Sequence, residues 1–422
     1  MNFYDSDKIH DLLFIHGYEK TNIQDDADLI VLNTCHIREK ASEKLFSDLG
    51  RIKKLKDRKK VTIAVTGCVA QAEGKKISDR APYVDLITGP QAFHRLPEML
   101  RDVSQGIKVP PELEFLTIDK FDNLRNSKRT IGPTEFVSIQ EGCDKFCTFC
   151  VVPYTRGAEF SRSISEIKEE IISLTEKGVC EITLLGQNVN SWHGVDSLGN
   201  ERGLDYLILE IAKINKIKRI RYTTSHPLDM DEDLILAHKE ISKLMPYLHL
   251  PIQSGSDKIL KSMNRKHTSK QYIEIIEKIR NVNPDIALSG DFIVGFPGET
   301  QSDFIDTLEL VKNVGYSQSY SFKYSSRPGT SASVLETQVP ENIKKARLSE
   351  LQNLLSSQQR QFNSQFVDKE IEVLIEKRGE RDNQVMGRSE HMQSVYMDQS
   401  IGNIGDIKKV KISYVGQNSL KV

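Results

Sequence analysis

Between residue 135 and about residue 340 the chain alternates between two hydrophobic periods, and that alternation restricts its fold more than any other feature. Six β-like runs, at 136–140, 181–185, 219–223, 247–250, 286–294 and 320–324, are interleaved with helical patterns such as 163–177, 204–215 and 302–314. A strand that returns parallel to its neighbour needs a long crossover, usually a helix. Six such units suit a partial (β/α) barrel, in which chemistry gathers at the C-terminal ends of the strands.

The flanks read differently. From Met1 to about residue 117, helical patterns at 6–16 and 37–55 alternate with β-rich runs at 29–33 and 61–66, implying a second parallel α/β sheet. Residues 118–133 are polar and charged with no apolar period, a linker by composition. Residues 341–362 carry a 3.6-residue period and predict a helix. Beyond residue 364 the runs are short, β-like and broken by glycine (IEVLIEK, NQVMGRS, QSVYMD, GDIKKVKISYVG), the pattern of a small all-β barrel of a kind often used to grip RNA. A chain of 422 residues exceeds one hydrophobic core, and three domains are expected, 1–120, 132–360 and 361–422. The fold class is α/β: an N-terminal parallel sheet domain, a central partial (β/α)6 barrel and a C-terminal all-β barrel.

A formal net charge of -1 excludes the globally basic character of many nucleic-acid binders, so RNA contact must come from local patches. The densest basic run, seven residues between Arg51 and Lys60, is expected to be a solvated helix face. The opening MNFYDSDKIH has no basic segment leading into an apolar run, and no later stretch suits a membrane span, which predicts a cytoplasmic protein. In such a compartment six cysteines point to metal binding or catalysis, not disulfides.

Three of them, Cys143, Cys147 and Cys150, form a C-x3-C-x2-C loop directly after the first barrel run. That spacing wraps three thiolates around a 4Fe-4S cubane and leaves the fourth iron without a protein ligand. A structural zinc site would want a fourth Cys or His nearby, and none follows within the loop. Cys35 and Cys68 each follow a β-run, so both should emerge on one edge of the N-terminal sheet, as metal ligands or as buried thiols. Cys180 is expected to be a buried structural thiol. Trp192 and His193 sit on a loop where the indole could stack on a base or cover the barrel rim.

Six blocks in order, NTCHIREKA, TGCVAQAEG, CTFCVVPYTRGAEFSR, LLGQNVNSW, HLPIQSGSDKILKSMNRKHT and GDFIVGFPGET, resemble the radical S-adenosylmethionine methylthiotransferases, most closely those acting on tRNA. The likeness covers nearly the whole chain, and residues 361–422 resemble a TRAM domain, where Tyr396 is a candidate for stacking. The resemblance implies that the open iron of the central cluster chelates S-adenosylmethionine. It implies further that an electron then cleaves the sulfonium, and that the radical formed takes hydrogen from C2 of an adenine. It also implies that Gly157, Glu159, Ser161, Arg162, Gln187, Asn188, Ser225, His226, Gln253, Ser254 and the segment 295–298 hold the cofactor, although glycines and prolines there also shape βα turns.

By the same resemblance Cys35 and Cys68 ligate an auxiliary 4Fe-4S cluster that carries the sulfur to be inserted. The opening Met1-Asn2-Phe3-Tyr4-Asp5-Ser6 looks like the family's first cysteine block entered just after its cysteine. The expectation is therefore a start further upstream in frame, the alternative being a natural variant with a damaged auxiliary cluster. The implied partners are tRNA and an electron donor such as flavodoxin or ferredoxin, with the chain a monomer. Two rivals remain: a sister methylthiotransferase acting on an aspartate of a small-subunit ribosomal protein, and a non-catalytic iron-sulfur or zinc protein that binds RNA.

Overall fold

The sequence Thr62–Thr66 (TIAVT) is buried on both faces because it is the middle strand of a three-stranded parallel sheet, between Leu29–Asn33 and Leu86–Thr88. Ile63 and Val65 pack against Leu45, Leu49, Ile52 and Ile77 on one side, while Ala64 meets Ile9, Leu13, Phe93 and Leu96 on the other. The helix Ala41–Lys56 buries Leu45, Leu49, Ile52 and Leu55, a single stripe at helical spacing. Its basic end is a solvated face, as the charge run suggests: Arg51, Lys56, Arg58 and Lys59 pair with Asp48, Asp85, Asp25 and Asp28.

The computed structural model describes residues 1–36, 41–115, 132–416 and 418–422. The first four residues of the expected helix 37–55, most of the linker 118–133 and Gln417 lie outside the described residues. The chain divides into two compact units, Met1–Arg129 with Glu141–Asp144 and Cys150–Phe160, and Thr130–Gln140 with Lys145–Phe149 and Ser161–Val422. Two short segments around the cysteines, expected within the central domain, thus group with the N-terminal sheet. The C-terminal barrel groups with the central strands.

In the second unit Glu181–Leu185 lies between Thr134–Ser138 and Arg219–Thr223, and Ala287–Val294 between Tyr247–His249 and Gln318–Lys323, all parallel. Ile220 joins the two sheets, donating its N–H to Lys243 O at 2.8 Å and accepting from Met245 N–H at 3.0 Å. Six parallel strands therefore follow one another in chain order, the expected partial (β/α)6 barrel. The first predicted run splits, with Gln140–Glu141 forming a separate short strand.

Alternate residues face opposite ways. Ile182, Leu184, Ile220, Tyr222, Leu248, Leu288 and Phe292 pack outward in the main core. The register places Glu181, Thr183, Arg221, His249, Ser289 and Asp291 on the inner face, which is polar. Ser163, Thr268 and Thr300 start three of the covering helices with reciprocal capping boxes to Glu166, Gln271 and Asp303.

The C-terminal sheet runs in the order Ile407–Lys411, Glu370–Arg378, Gln384–Ser389, Ser394–Asp398, Ser419–Lys421, Tyr414–Val415. Its two outermost strands are consecutive in the chain, with only Ile412 and Ser413 between them, so the sheet must curl towards closure. A hairpin of this sheet docks on the barrel strands. Arg221 donates to Ser389 O and Glu390 O, both at 2.8 Å, and Arg219 donates to Arg388 O at 2.9 Å. Glu181 accepts from Arg221 at 3.0 Å, so the buried guanidinium is paired.

Candidate active site

In the second unit, polar groups gather where the strands end. Gln140 accepts the backbone N–H of Gln187 at 2.9 Å and of Asn188 at 3.2 Å through one amide oxygen. Gly186 permits this, since a Cβ there would stand 2.5 Å from that oxygen. The Asn188 amide donates to Asp229 at 2.7 Å, and Asp229 also pairs with Lys145 at 2.7 Å, within the cysteine loop. The loop is held further by Asn264, whose amide donates to Phe146 O at 2.9 Å, and by Thr148, whose N–H reaches Met263 O at 3.1 Å. Phe146 takes a left-handed conformation (φ 47°), uncommon for a bulky residue and typical of functional loops.

His226 follows the strand Arg219–Thr223. Its Nδ1 accepts the Leu228 N–H at 3.2 Å, which places the ring hydrogen of the neutral form on Nε2. His267 has the opposite tautomer, because its Nδ1 donates to Arg265 O at 2.9 Å and leaves Nε2 an acceptor. The two rings meet edge to face at 5.7 Å. Burial, reinforced by the Arg265 charge, lowers both pKa values, that of His267 to about 4. Both rings are therefore neutral near pH 7.

Five buried polar atoms in this region have no protein partner among the described residues: Asn188 Oδ1, Ser225 Oγ, His226 Nε2, Arg265 Nε and His267 Nε2. Buried polar groups in native proteins are almost always satisfied, so such a concentration marks a ligand-sized polar surface. It suits a zwitterionic, ribose-bearing cofactor. Two cysteines of the loop already receive donors suited to thiolates: Val152 N–H at 3.5 Å from Cys150 Sγ, and Arg265 Nη1 at 3.6 Å from Cys147 Sγ.

The other expected cofactor residues are placed as follows. Gln253 adopts φ 82° and bridges to the strand Ala287–Val294 through backbone bonds to Asp291 and Ile293. The Ser254 hydroxyl bonds with Thr307 and Ser256. Arg162 donates to Ser138 O at 2.6 Å and pairs with Glu170, and the Ser161 hydroxyl accepts the His193 N–H. Trp192 is 1% exposed with its indole N–H on Arg162 O, so it covers the rim from within. Cys180, expected to be buried, is half-buried, and desolvation raises its thiol pKa.

In the first unit, Gly157 O accepts the Cys143 N–H at 3.3 Å and the Glu159 N–H reaches Asp144 at 3.2 Å. Cys35 and Cys68 leave the same end of the N-terminal sheet, where Thr34 N–H meets Thr66 O and Val69 N–H meets Thr34 O, both at 3.1 Å. Gly67 makes this approach possible: at φ 92° its Cβ would lie 2.4 Å from Asn33 Oδ1. Beside Cys68 stands a fully buried Arg156, ion-paired with Asp5 and 3.7 Å from Glu141. Burial opposes its charge, yet Asp5, Cys68 and Glu141 hold its pKa well above the ordinary value. Gln91, at the third strand's end, donates to Glu141 at 2.7 Å. Among the described residues no three Cys, His, Asp or Glu side chains form a group suited to one metal ion.

Gln140, Lys145, Asn190, Asp229, Arg265, His267 and Arg156 were not singled out from sequence. Most lie inside or beside motif blocks, but nothing in local periodicity marks which polar residue turns inward.

Three family profiles match the chain in order: an uncharacterized protein family, UPF0004, over residues 1–89, the Radical SAM superfamily over 137–311 and the TRAM domain over 365–421. The three domains fit the radical S-adenosylmethionine methylthiotransferase family. The match is one of architecture, with a radical S-adenosylmethionine domain over the middle of the chain. Among solved structures the chain is similar to TsrM, a radical S-adenosylmethionine methyltransferase from Kitasatospora setae solved with cobalamin and a 4Fe-4S cluster. Identity is 12%, with 78% of this chain and 71% of that chain covered and a TM-score of 0.55. It is also similar to OxsB, a cobalamin-dependent S-adenosylmethionine radical enzyme, at 13% identity over 79% of this chain and 48% of that one, with a TM-score of 0.47. At such identities the likeness to TsrM shows the fold alone. No helix among the described residues is long and apolar enough to cross a membrane.

Proposed function

We propose that this protein is a tRNA methylthiotransferase, which converts N6-(dimethylallyl)adenosine beside the anticodon to its 2-methylthio derivative. The observation that carries the reading is the set of unsatisfied buried atoms on Asn188, Ser225, His226, Arg265 and His267, with Arg265 also touching Cys147. Cys143, Cys147 and Cys150 would hold the central 4Fe-4S cluster, and Cys35 and Cys68 would ligate the auxiliary one. When bound, the central cluster supplies an electron to the sulfonium of S-adenosylmethionine, the chemistry of its superfamily.

The chain's own residues do the rest. The His226 Nε2–H and the His267 Nε2 lone pair offer one donor and one acceptor to the cofactor, while Ser225 and Asn188 add a hydroxyl and an amide oxygen. Lys145, Asp229 and Asn188 form a continuous polar chain that fixes the cysteine loop against the strand ends. The docked hairpin turn at Arg388–Glu390 covers buried inner-face residues of two strands and keeps water from them. The TRAM domain supports RNA as the partner.

The test is mass spectrometry of bulk tRNA from a strain lacking the gene, with and without its return. Loss and recovery of the 2-methylthio nucleoside is the expected result. Unchanged tRNA accompanied by an altered ribosomal protein would move the activity to the sister substrate, and RNA binding without 5′-deoxyadenosine release would remove the enzymatic reading.

A further inference from the structure

Arg265 is a buried cation without an acid. It is 5% exposed, and among the described residues no carboxylate forms an ion pair with it. Its backbone is held by the turn after the helix Asp257–Ser262, where Asn264 adopts φ 58° and the Arg265 N–H reaches Leu260 O at 2.9 Å. Nη2 is anchored on Pro251 O at 2.5 Å, Nη1 points at Cys147 Sγ at 3.6 Å, and Nε has no protein partner. An unpaired buried guanidinium is costly unless a negative group arrives to compensate it. Among the described residues its bonded partner in the cysteine loop is the Cys147 sulfur, a thiolate once it ligates iron.

We propose that Arg265 is a positioning residue that fixes Cys147 Sγ by a charge-assisted N–H···S bond and raises the reduction potential of the central cluster. The proposal rests on the reading that a 4Fe-4S cluster sits on Cys143, Cys147 and Cys150. Hydrogen bonds to cluster sulfurs and nearby charge are principal determinants of such potentials. A fixed positive charge at the sulfur favours the reduced, more negative cluster. Carbonyl anchoring by Pro251 keeps the guanidinium fork aimed, so the donor is in place before an electron arrives. Lysine has one compact charge and cannot span both acceptors.

The experiment is a potentiometric titration of the reconstituted holoenzyme followed by electron paramagnetic resonance. The central cluster is identified as the one whose signal changes when S-adenosylmethionine is added. Iron and sulfide analysis of the wild-type protein comes first, and absence of a cluster there defeats the parent reading independently of Arg265. In Arg265→Met and Arg265→Gln the ratio of reduced to oxidised cluster at fixed poise should fall at least tenfold, about 59 mV for a one-electron couple. Arg265→Lys should recover part of the loss. Wild-type potentials in Arg265→Met and Arg265→Gln with intact clusters would overturn the proposal. If Arg265→Met cannot retain iron, the ordering of Arg265→Lys above Arg265→Gln decides it, and equal potentials in those two overturn it.

Discussion

Asn190 and His226 clasp each other through one amide: Asn190 Nδ2 donates to His226 O at 2.9 Å while Asn190 Oδ1 accepts the His226 N–H at 2.8 Å. The His226 backbone lies just beyond a strand end, where no ladder partner remains, so a side chain completes it. Asn190→Ala should strand two buried backbone groups and cost about 2–4 kcal/mol. A urea unfolding midpoint lowered together with weaker S-adenosylmethionine binding by calorimetry is the expected pair of results. An unchanged midpoint would show that water replaces the amide without penalty.

Arg221 ties three elements at once, bonding Glu181, Ser389 O and Glu390 O from a nearly fully buried position. Removing it leaves the Glu181 carboxylate buried, near only the more distant Arg219. Arg221→Met should destabilise the chain by about 3–5 kcal/mol and expose the segment joining the helix Glu341–Ser364 to the C-terminal barrel. Limited proteolysis should then release a fragment of about the barrel's size. The double change Arg221→Met with Glu181→Leu should be less damaging than the single one, and an equal or larger loss would argue against a compensated ion pair.

His238 accepts or shares a hydrogen bond with Tyr222 at 2.7 Å inside the core, and burial lowers its pKa to about 4. The unfolded histidine titrates near 6.5. Between those values the unfolded chain holds a proton that the folded chain lacks, so stability rises with pH across that window and is lost on acidification from 6.5 towards 4. The slope from this one residue approaches about 1.4 kcal/mol per pH unit. Comparing unfolding of the wild type and His238→Gln from pH 4 to 7 should show a shallower dependence in the variant. Parallel profiles would refute the assignment.

Gly67→Ala should act on the N-terminal cysteine loops and spare the central one. Its Cβ would meet Asn33 Oδ1 and Thr34 O at 2.4 and 2.9 Å, at a φ that disfavours alanine. The loops carrying Cys35 and Cys68 must then part. On the proposed assignment, iron held through Cys35 and Cys68 should be lost, while cofactor cleavage to 5′-deoxyadenosine at Cys143, Cys147 and Cys150 persists. Unchanged iron content would mean that the loops tolerate the displacement.

The order of elements was largely legible. Glu181–Leu185 and Arg219–Thr223 appear as strands at their expected bounds because an uninterrupted β-branched or alternating run has few other uses. The helix Ile164–Glu176 starts where Ser163 and Glu166 spell a capping box. Leu86–Thr88 escaped notice since three residues show no period. The first barrel run was read as one strand, although the chain breaks it at Ile139 to start a second one.

Sequence alone determined the cysteine spacing and the alternation of strand and helix, because local periods and ligand spacing are properties of neighbouring residues. It did not determine which polar side chains complete the site. Arg265 and Cys147 are 118 residues apart, Lys145 and Asp229 are 84 apart, and Arg221 and Ser389 are 168 apart. A hydrophobic period records which face of an element is buried but carries no information on the partner that a buried charge must find. Only the tertiary packing, which removes water from those charges, decides that partner.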